Sequence, residues 1–211
     1  MKNQESRVRE RGFTLIEVLV VAAILLTITL MAAPYLATQI QRSKLIGAAN
    51  QTVGVLRLAR MDAIKNSQCA MVVIDPAQGN VQALSDRDAN CVPSAPDVRI
   101  GEMVLPKNVV FSAPGNKAGE LSVKGFTTRA GLPSMAVFEG NGSIRAVGAF
   151  RFEAQELGGR NANWLEVNVS PAATARIELR KWKGPANPDD TALNNDLNWH
   201  ANGEGGSWTW N

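Results

Sequence analysis

The chain has 211 residues, 45% hydrophobic and 19% charged, with a formal charge of +3, enough for one domain or two small ones around a real core. Residues 1–12 carry Lys2, Arg7, Arg9 and Arg11 against Glu5 and Glu10; of the 22 basic and 19 acidic side chains, 18 and 17 remain without them. So small an excess is not the mark of a nucleic-acid binder. With only Cys69, Cys91 and His200, and no CxxC pair, the inventory excludes a structural zinc site and a Cys-His nucleophile.

The stretch from Phe13 to Ala33 is apolar for 21 residues, broken by one charge, Glu17. As a helix it spans about 30 Å, the hydrocarbon thickness of a bilayer. The basic residues just before it predict a cytoplasmic N-terminus and translocation of the bulk of the chain. A secretory signal places small residues and its cleavage site after the apolar run. Here the small residue, Gly12, precedes it, so a cut there leaves the helix on the mature protein. An unprocessed single-pass anchor is the alternative.

The residues Arg11-Gly12-Phe13-Thr14-Leu15-Ile16-Glu17 resemble the type III signal of type IV pilins and type II secretion pseudopilins. The resemblance implies a leader over 1–12, cleavage between Gly12 and Phe13 by prepilin peptidase, and N-methylation of the new Phe13 amine. It also implies the other subunits of a filament as partners. Pro34 stands where such proteins often carry a helix-perturbing proline.

Glu17 has a physical argument of its own. A carboxylate in a lipid-facing helix costs on the order of 3 kcal/mol, so it needs a partner or a proton. Cleavage creates one cation nearby, the Phe13 amine, which Glu17 reaches within its own helix at i,i+4 or on a neighbouring subunit. The family resemblance implies the second, with the pair setting subunit register during assembly. Retention of this acid is unlike the extreme tip subunit of the family.

Beyond the span, over 34–66, Leu45, Ala49, Val53, Leu56, Ala63 and Ile64 recur at helical spacing between polar residues and predict an amphipathic continuation on the periplasmic side. After Asn66 the pattern turns to short β-branched and aromatic runs between breakers. Strands are expected at Ala70–Ile74, Asn80–Leu84, Val98–Val104, Val109–Ser112, Met135–Glu139, Ser143–Val147, Trp164–Val169 and Arg176–Trp182. Glu139-Gly140-Asn141-Gly142 reads as a type I′ hairpin turn. The expectation is an α+β, pilin-like fold, a long N-terminal transmembrane and amphipathic helix packed on antiparallel sheet.

Leu58-Ala59-Arg60-Met61-Asp62-Ala63-Ile64-Lys65 followed by Met71-Val72-Val73-Ile74, with Val137-Phe138, Gly140, Gly142 and Ile144, resembles the helix-to-strand junction and glycine hairpin of the GspH/FimT family. The resemblance marks 67–183 as the β-rich domain. The family's Gly-Arg pair on the last strand is Ala175-Arg176 here.

Cys69 and Cys91 fall on the periplasmic side, where disulfides persist. A bridge is expected, contributing about 3 kcal/mol by loop closure; two separate buried thiols are the alternative. Asp86, Asp88 and Asn90, with Asp97 twelfth from Asp86, repeat the spacing of a calcium loop, but Cys91 stands where that loop needs Gly and Asp97 where it needs Glu. The reading is a solvated loop and no metal.

Arg176, Arg180, Lys181 and Lys183 form a basic run beside Trp182, interrupted by Glu178. Some FimT-like proteins bind DNA for natural transformation, and this run is the DNA contact in the alternative reading. Residues 184–211, with Trp199, Trp208 and Trp210, read as an irregular tail whose aromatics pack on the sheet, with a contact surface for another subunit as the alternative. No nucleophile elbow, phosphate loop or metal cluster is present, so neither an enzyme nor a cofactor is expected. The resemblance implies a minor pilin or pseudopilin of the inner membrane, extracted into a type IV-like filament.

Overall fold

The computed structural model describes residues 13–112, 123–127, 134–155, 164–182 and 199–201. One helix, α1 (Leu15–Asn66), precedes ten strands: β1 (Ala70–Asp75), β2 (Asn80–Ser85), β3 (Val98–Val104), β4 (Val109–Phe111), β5 (Val123–Gly125), β6 (Met135–Phe138), β7 (Gly148–Ala154), β8 (Trp164–Val169), β9 (Ile177–Trp182) and β10 (Trp199–Ala201). The chain divides into two units, residues 1–39 and 40–211.

Within the first unit α1 is apolar and exposed all round, from Phe13 to Leu36. Three of its threonines turn their hydroxyls onto their own backbone: Thr27 donates to Ile24 O at 2.8 Å, Thr29 to Leu25 O at 2.7 Å and Thr38 to Pro34 O at 3.1 Å. A side chain that meets its hydrogen-bonding need in this way can sit in lipid without an unsatisfied donor. α1 passes through Pro34 without interruption.

In the second unit α1 becomes one-sided. Leu45, Ala48, Ala49, Thr52, Leu56, Ala59 and Ala63 are buried, and Val53 and Val55 nearly so. Ile64, expected in this stripe, is 49% exposed; it lies off the centre of the buried face. The helix ends in a Schellman motif: Gln68 N–H donates to Ala63 O at 3.2 Å and Ser67 N–H to Ile64 O at 3.3 Å. Ser67 takes the left-handed conformation, φ +51°, where glycine is the usual residue.

The strands form two antiparallel sheets, one in the order β3-β2-β1-β6 and the other in the order β10-β9-β8-β7-β4, with β5 also on β7. β4 pairs the C-terminal half of β7 and β5 the N-terminal half. Alternation sets the faces. Ala70, Val72 and Ile74 of β1 point into the large core, whereas Met71 joins Cys69, Met135 and Val137 in a small cluster on the other face. Leu45 and Leu56 of α1 share that large core with Phe150, Phe152, Leu165, Val167 and Val169 of the second sheet. Each large side chain buried there contributes about 1.5–3 kcal/mol. Phe126 and Phe150 stack with centroids 4.7 Å apart.

The other face of the second sheet buries charge. Register aligns Arg151, Glu166 and Arg180 across β7, β8 and β9. Arg151 Nε donates to Glu166 Oε2 at 2.9 Å, and the two side chains are 0% and 2% exposed. Burial pushes the Glu166 carboxyl above its ordinary range, opposed chiefly by the Arg151 guanidinium.

Three expectations need correction. Ser143–Val147 is not a strand: only Ile144 bridges, to Phe138, and the strand begins at Gly148. The turn at Glu139–Gly142 is not type I′. Gly142 N–H donates to Glu139 O at 2.8 Å and Glu139 N–H to Ser143 O at 2.9 Å, and of the turn residues only Gly142 has positive φ, at +82°. This is a three-residue loop with a glycine bulge, so the glycine is needed one position later than a type I′ turn requires. Finally, Trp199–Ala201 lie in β10, paired with Arg180–Trp182, and are therefore not irregular; Trp208, Trp210 and the rest of 184–211 lie outside the described residues.

Candidate functional site

The first turn of α1 joins the expected cleavage point to the expected assembly residue. Gly12 and the leader lie outside the described residues; Phe13 is 87% exposed. Thr14 caps the helix. Glu17 N–H donates to Thr14 Oγ1 at 3.3 Å, while Glu17 Oε2 accepts the Thr14 backbone N–H and its hydroxyl at 2.9 Å each. This is a capping box, two otherwise orphaned helix N–H groups satisfied reciprocally. Thr-x-x-Glu ahead of an apolar run signals it in the sequence, and Thr14 is the site residue that the sequence reading passed over. Glu17 Oε1 accepts no hydrogen bond among the described residues. An apolar groove of about 360 Å³ runs beside it, lined by Phe13, Val18, Val21, Ala22 and Leu25.

One helix in the described residues, α1, is long and apolar enough to cross a membrane. Glu17 is the one acidic residue in its first turn. The arrangement offers no catalytic constellation. It offers a greasy rod with an open carboxylate oxygen at its N-terminal end.

The remaining site residues lie far along the chain. Cys69 and Cys91 are joined as a disulfide, Cα–Cα 5.4 Å, at the edge of a cavity of about 210 Å³ shared with Asp86 and Glu139. Asp86, Asp88 and Asp97 bring carboxylate oxygens within 4.8 Å of one another, yet these oxygens organise their own loop. Asp86 accepts Cys91 N–H at 2.7 Å and Asp88 N–H at 3.1 Å, and Asp97 accepts Ser94 N–H at 2.8 Å and Arg87 N–H at 3.0 Å.

The basic run does not present one cationic face. Arg176 pairs with Glu178 at 2.7 Å, Arg180 with Glu178 at 3.1 Å and Glu166 at 3.9 Å. Lys181 is 4% exposed, on the opposite side of β9, and Lys183 lies outside the described residues. His200 pairs in register with Lys181.

Residues 7–33 match the family described as the prokaryotic N-terminal methylation motif. No curated protein matches the sequence. Among solved structures, the chain is similar to the type IV minor pilin FimU of Pseudomonas aeruginosa, with 14% identity and a TM-score of 0.45, over 72% of this chain and 96% of that one. It is also similar to the minor pseudopilin EpsH from the Type 2 Secretion System of Vibrio cholerae, with 11% identity and a TM-score of 0.44, over 65% and 97% respectively. Over residues 7–33 the chain carries the N-terminal methylation signature of prepilin-type proteins, set on a long apolar helix that continues into two antiparallel sheets.

Proposed function

We propose that the protein is a minor pilin or pseudopilin of the GspH/FimT kind, a structural subunit and not an enzyme. It helps to start or prime a type IV-like filament, in a type II secretion pseudopilus or a type IV pilus. Prepilin peptidase removes residues 1–12 and methylates Phe13. The mature chain waits in the inner membrane, N-terminus inside and sheets in the periplasm, until it is extracted into the filament. The observation that carries this reading is the methylation signature on a helix that runs unbroken from Leu15 to Asn66.

Glu17 supplies the assembly chemistry. Its Oε2 holds Thr14, which leaves Oε1 for the Phe13 ammonium of a neighbouring subunit. That pair compensates a charge whose burial among lipid-facing helices is otherwise unfavourable. The test is Glu17→Ala in the native host. The variant is expected in the inner membrane at ordinary levels and depleted from the sheared filament fraction; ordinary incorporation removes the assembly role.

A DNA receptor is the alternative, and the placement of its candidate residues does not favour it. Lys181 is buried and Arg176 and Arg180 are spent on Glu178 and Glu166.

A further inference from the structure

The two sulfurs of the Cys69–Cys91 bridge stand in different surroundings. Cys69 is 7% exposed and packs with Met71, Met135 and Val137, whereas Cys91 is part-exposed at the rim of that cluster. The cavity of about 210 Å³ beside them is lined by both cysteines together with Asp86 and Glu139.

Charge is distributed as unevenly as access. Arg145 Nη2 donates to Cys69 Sγ at 3.7 Å while its Nε donates to Glu139 Oε1 at 2.7 Å. Glu139 Oε2 stands 3.5 Å from the same sulfur. Cys91 Sγ has no hydrogen bond among the described residues; only its backbone N–H is held, by Asp86 Oδ2 at 2.7 Å. The Asp86 carboxylate lies within 4.8 Å of both sulfurs and therefore favours neither.

These differences count in thiol–disulfide exchange, where access selects the sulfur that is attacked and the stability of the departing charge selects the one that leaves. An incoming thiolate reaches Cys91 from solvent. At Cys69 it meets packed apolar side chains and the repulsion of the Glu139 carboxylate. When Cys91 is attacked, the negative charge departs on Cys69, within reach of a guanidinium that Glu139 already holds. The planar fork of arginine can serve a carboxylate with one nitrogen and a thiolate with another.

We propose that Cys91 is a thiol-exchange site, whose partner is the active-site cysteine pair of a thiol–disulfide oxidoreductase. The inference stands apart from the filament reading. The partner's thiolate bonds to Cys91 Sγ as the bond between Cys91 and Cys69 breaks, and the electron pair leaves on Cys69 beside Arg145. The partner's second thiolate then displaces Cys91, so the dithiol is oxidised to a disulfide and the bridge is reduced by the same two electrons. Closure follows the route backwards, with Cys69 attacking the mixed disulfide on Cys91.

The test uses the full-length, detergent-solubilised protein with its bridge closed, and reduced glutathione as the probe. Brief exposure, an acid quench, alkylation and peptide mass spectrometry give the position of the adduct. Glutathione is expected on Cys91 at about tenfold or more over Cys69, and the preference should disappear in denaturant. Equal or greater adduct on Cys69, or a folded protein whose bridge glutathione does not open, overturns the inference.

Opening rates with dithiothreitol test Arg145. Arg145→Gln is expected to slow the opening of the folded protein by about fivefold, and Glu139→Gln, which removes the opposing carboxylate, to speed it. A role in stability alone predicts that both variants open faster. Arg145→Gln opening at the wild-type rate or above therefore overturns the part given to Arg145. If that variant does not fold, Glu139→Gln decides: a rate at or below the wild type counts against the charge argument.

Discussion

Glu17 Oε2 accepts both the backbone N–H and the hydroxyl of Thr14, each at 2.9 Å, so the acid of the apolar rod is anchored to its own helix. The contact fixes the direction in which the second oxygen points and shields part of the charge. A side chain held in one geometry loses less entropy when it binds.

Thr14→Val removes the hydroxyl and keeps the shape. The variant is expected to insert in the membrane normally and to enter filaments less well than the wild type, though better than Glu17→Ala. Thr14→Ser keeps both hydrogen bonds and should behave as wild type. Quantitative immunoblots of the membrane and sheared fractions read the order of the four proteins.

The Arg151–Glu166 pair predicts a stability pattern in the sheets. Glu166→Ala removes the carboxylate that faces the buried guanidinium and should destabilise the protein by about 3–5 kcal/mol, whereas the double replacement Arg151→Met, Glu166→Leu should recover most of that loss. Thermal unfolding of the detergent-solubilised chain compares the three. Equal destabilisation by the single and double changes would contradict a dominant cost of breaking this charge pair.

Joining Cys69 to Cys91, 22 residues apart, should contribute about 3 kcal/mol by constraining the unfolded chain. Reductant is expected to lower the unfolding midpoint of the wild type and to leave a Cys69→Ala, Cys91→Ala protein unchanged. Alkylation of both thiols in the folded, unreduced protein counts against the bridge.

Gly140 and Gly142 predict different costs in one turn. A Cβ on Gly140 would stand 2.6 Å from the Ser67 backbone, whereas one on Gly142 meets the mobile end of Ile64. Gly142→Ala should cost about 1 kcal/mol for its positive φ. Gly140→Ala should cost more, because backbone cannot swing aside; the unfolding midpoints of the two variants give the order.

The parts of this molecule that were legible in the sequence are those written in local pattern. The rod and the helix end at Asn66 follow from composition and periodicity over neighbouring residues, and the leader motif from its resemblance to a known signal. Seven of the expected strands, from Ala70–Ile74 to Arg176–Trp182, overlap an observed one. What escaped depends on distant partners or on an unusual backbone. Ser67 ends the helix in a conformation that its side chain does not advertise. β5 and β10 have three residues each and exist because β7 and β9 offer them an edge. Arg151 and Glu166 each read as an ordinary polar strand residue, and only the register of β7 against β8 makes them a pair. At the site itself, Glu17 was legible from the oddity of one charge in a greasy run. Thr14 was missed because the acid was weighed only against cations, although the capping pattern was there to be read.

The most direct measurement is the intact mass and N-terminal sequence of the protein taken from membranes of its native host. The account predicts a chain that starts at N-methylated Phe13 and keeps the whole of α1. A chain starting at Met1, or one that has lost residues 13–33, contradicts it.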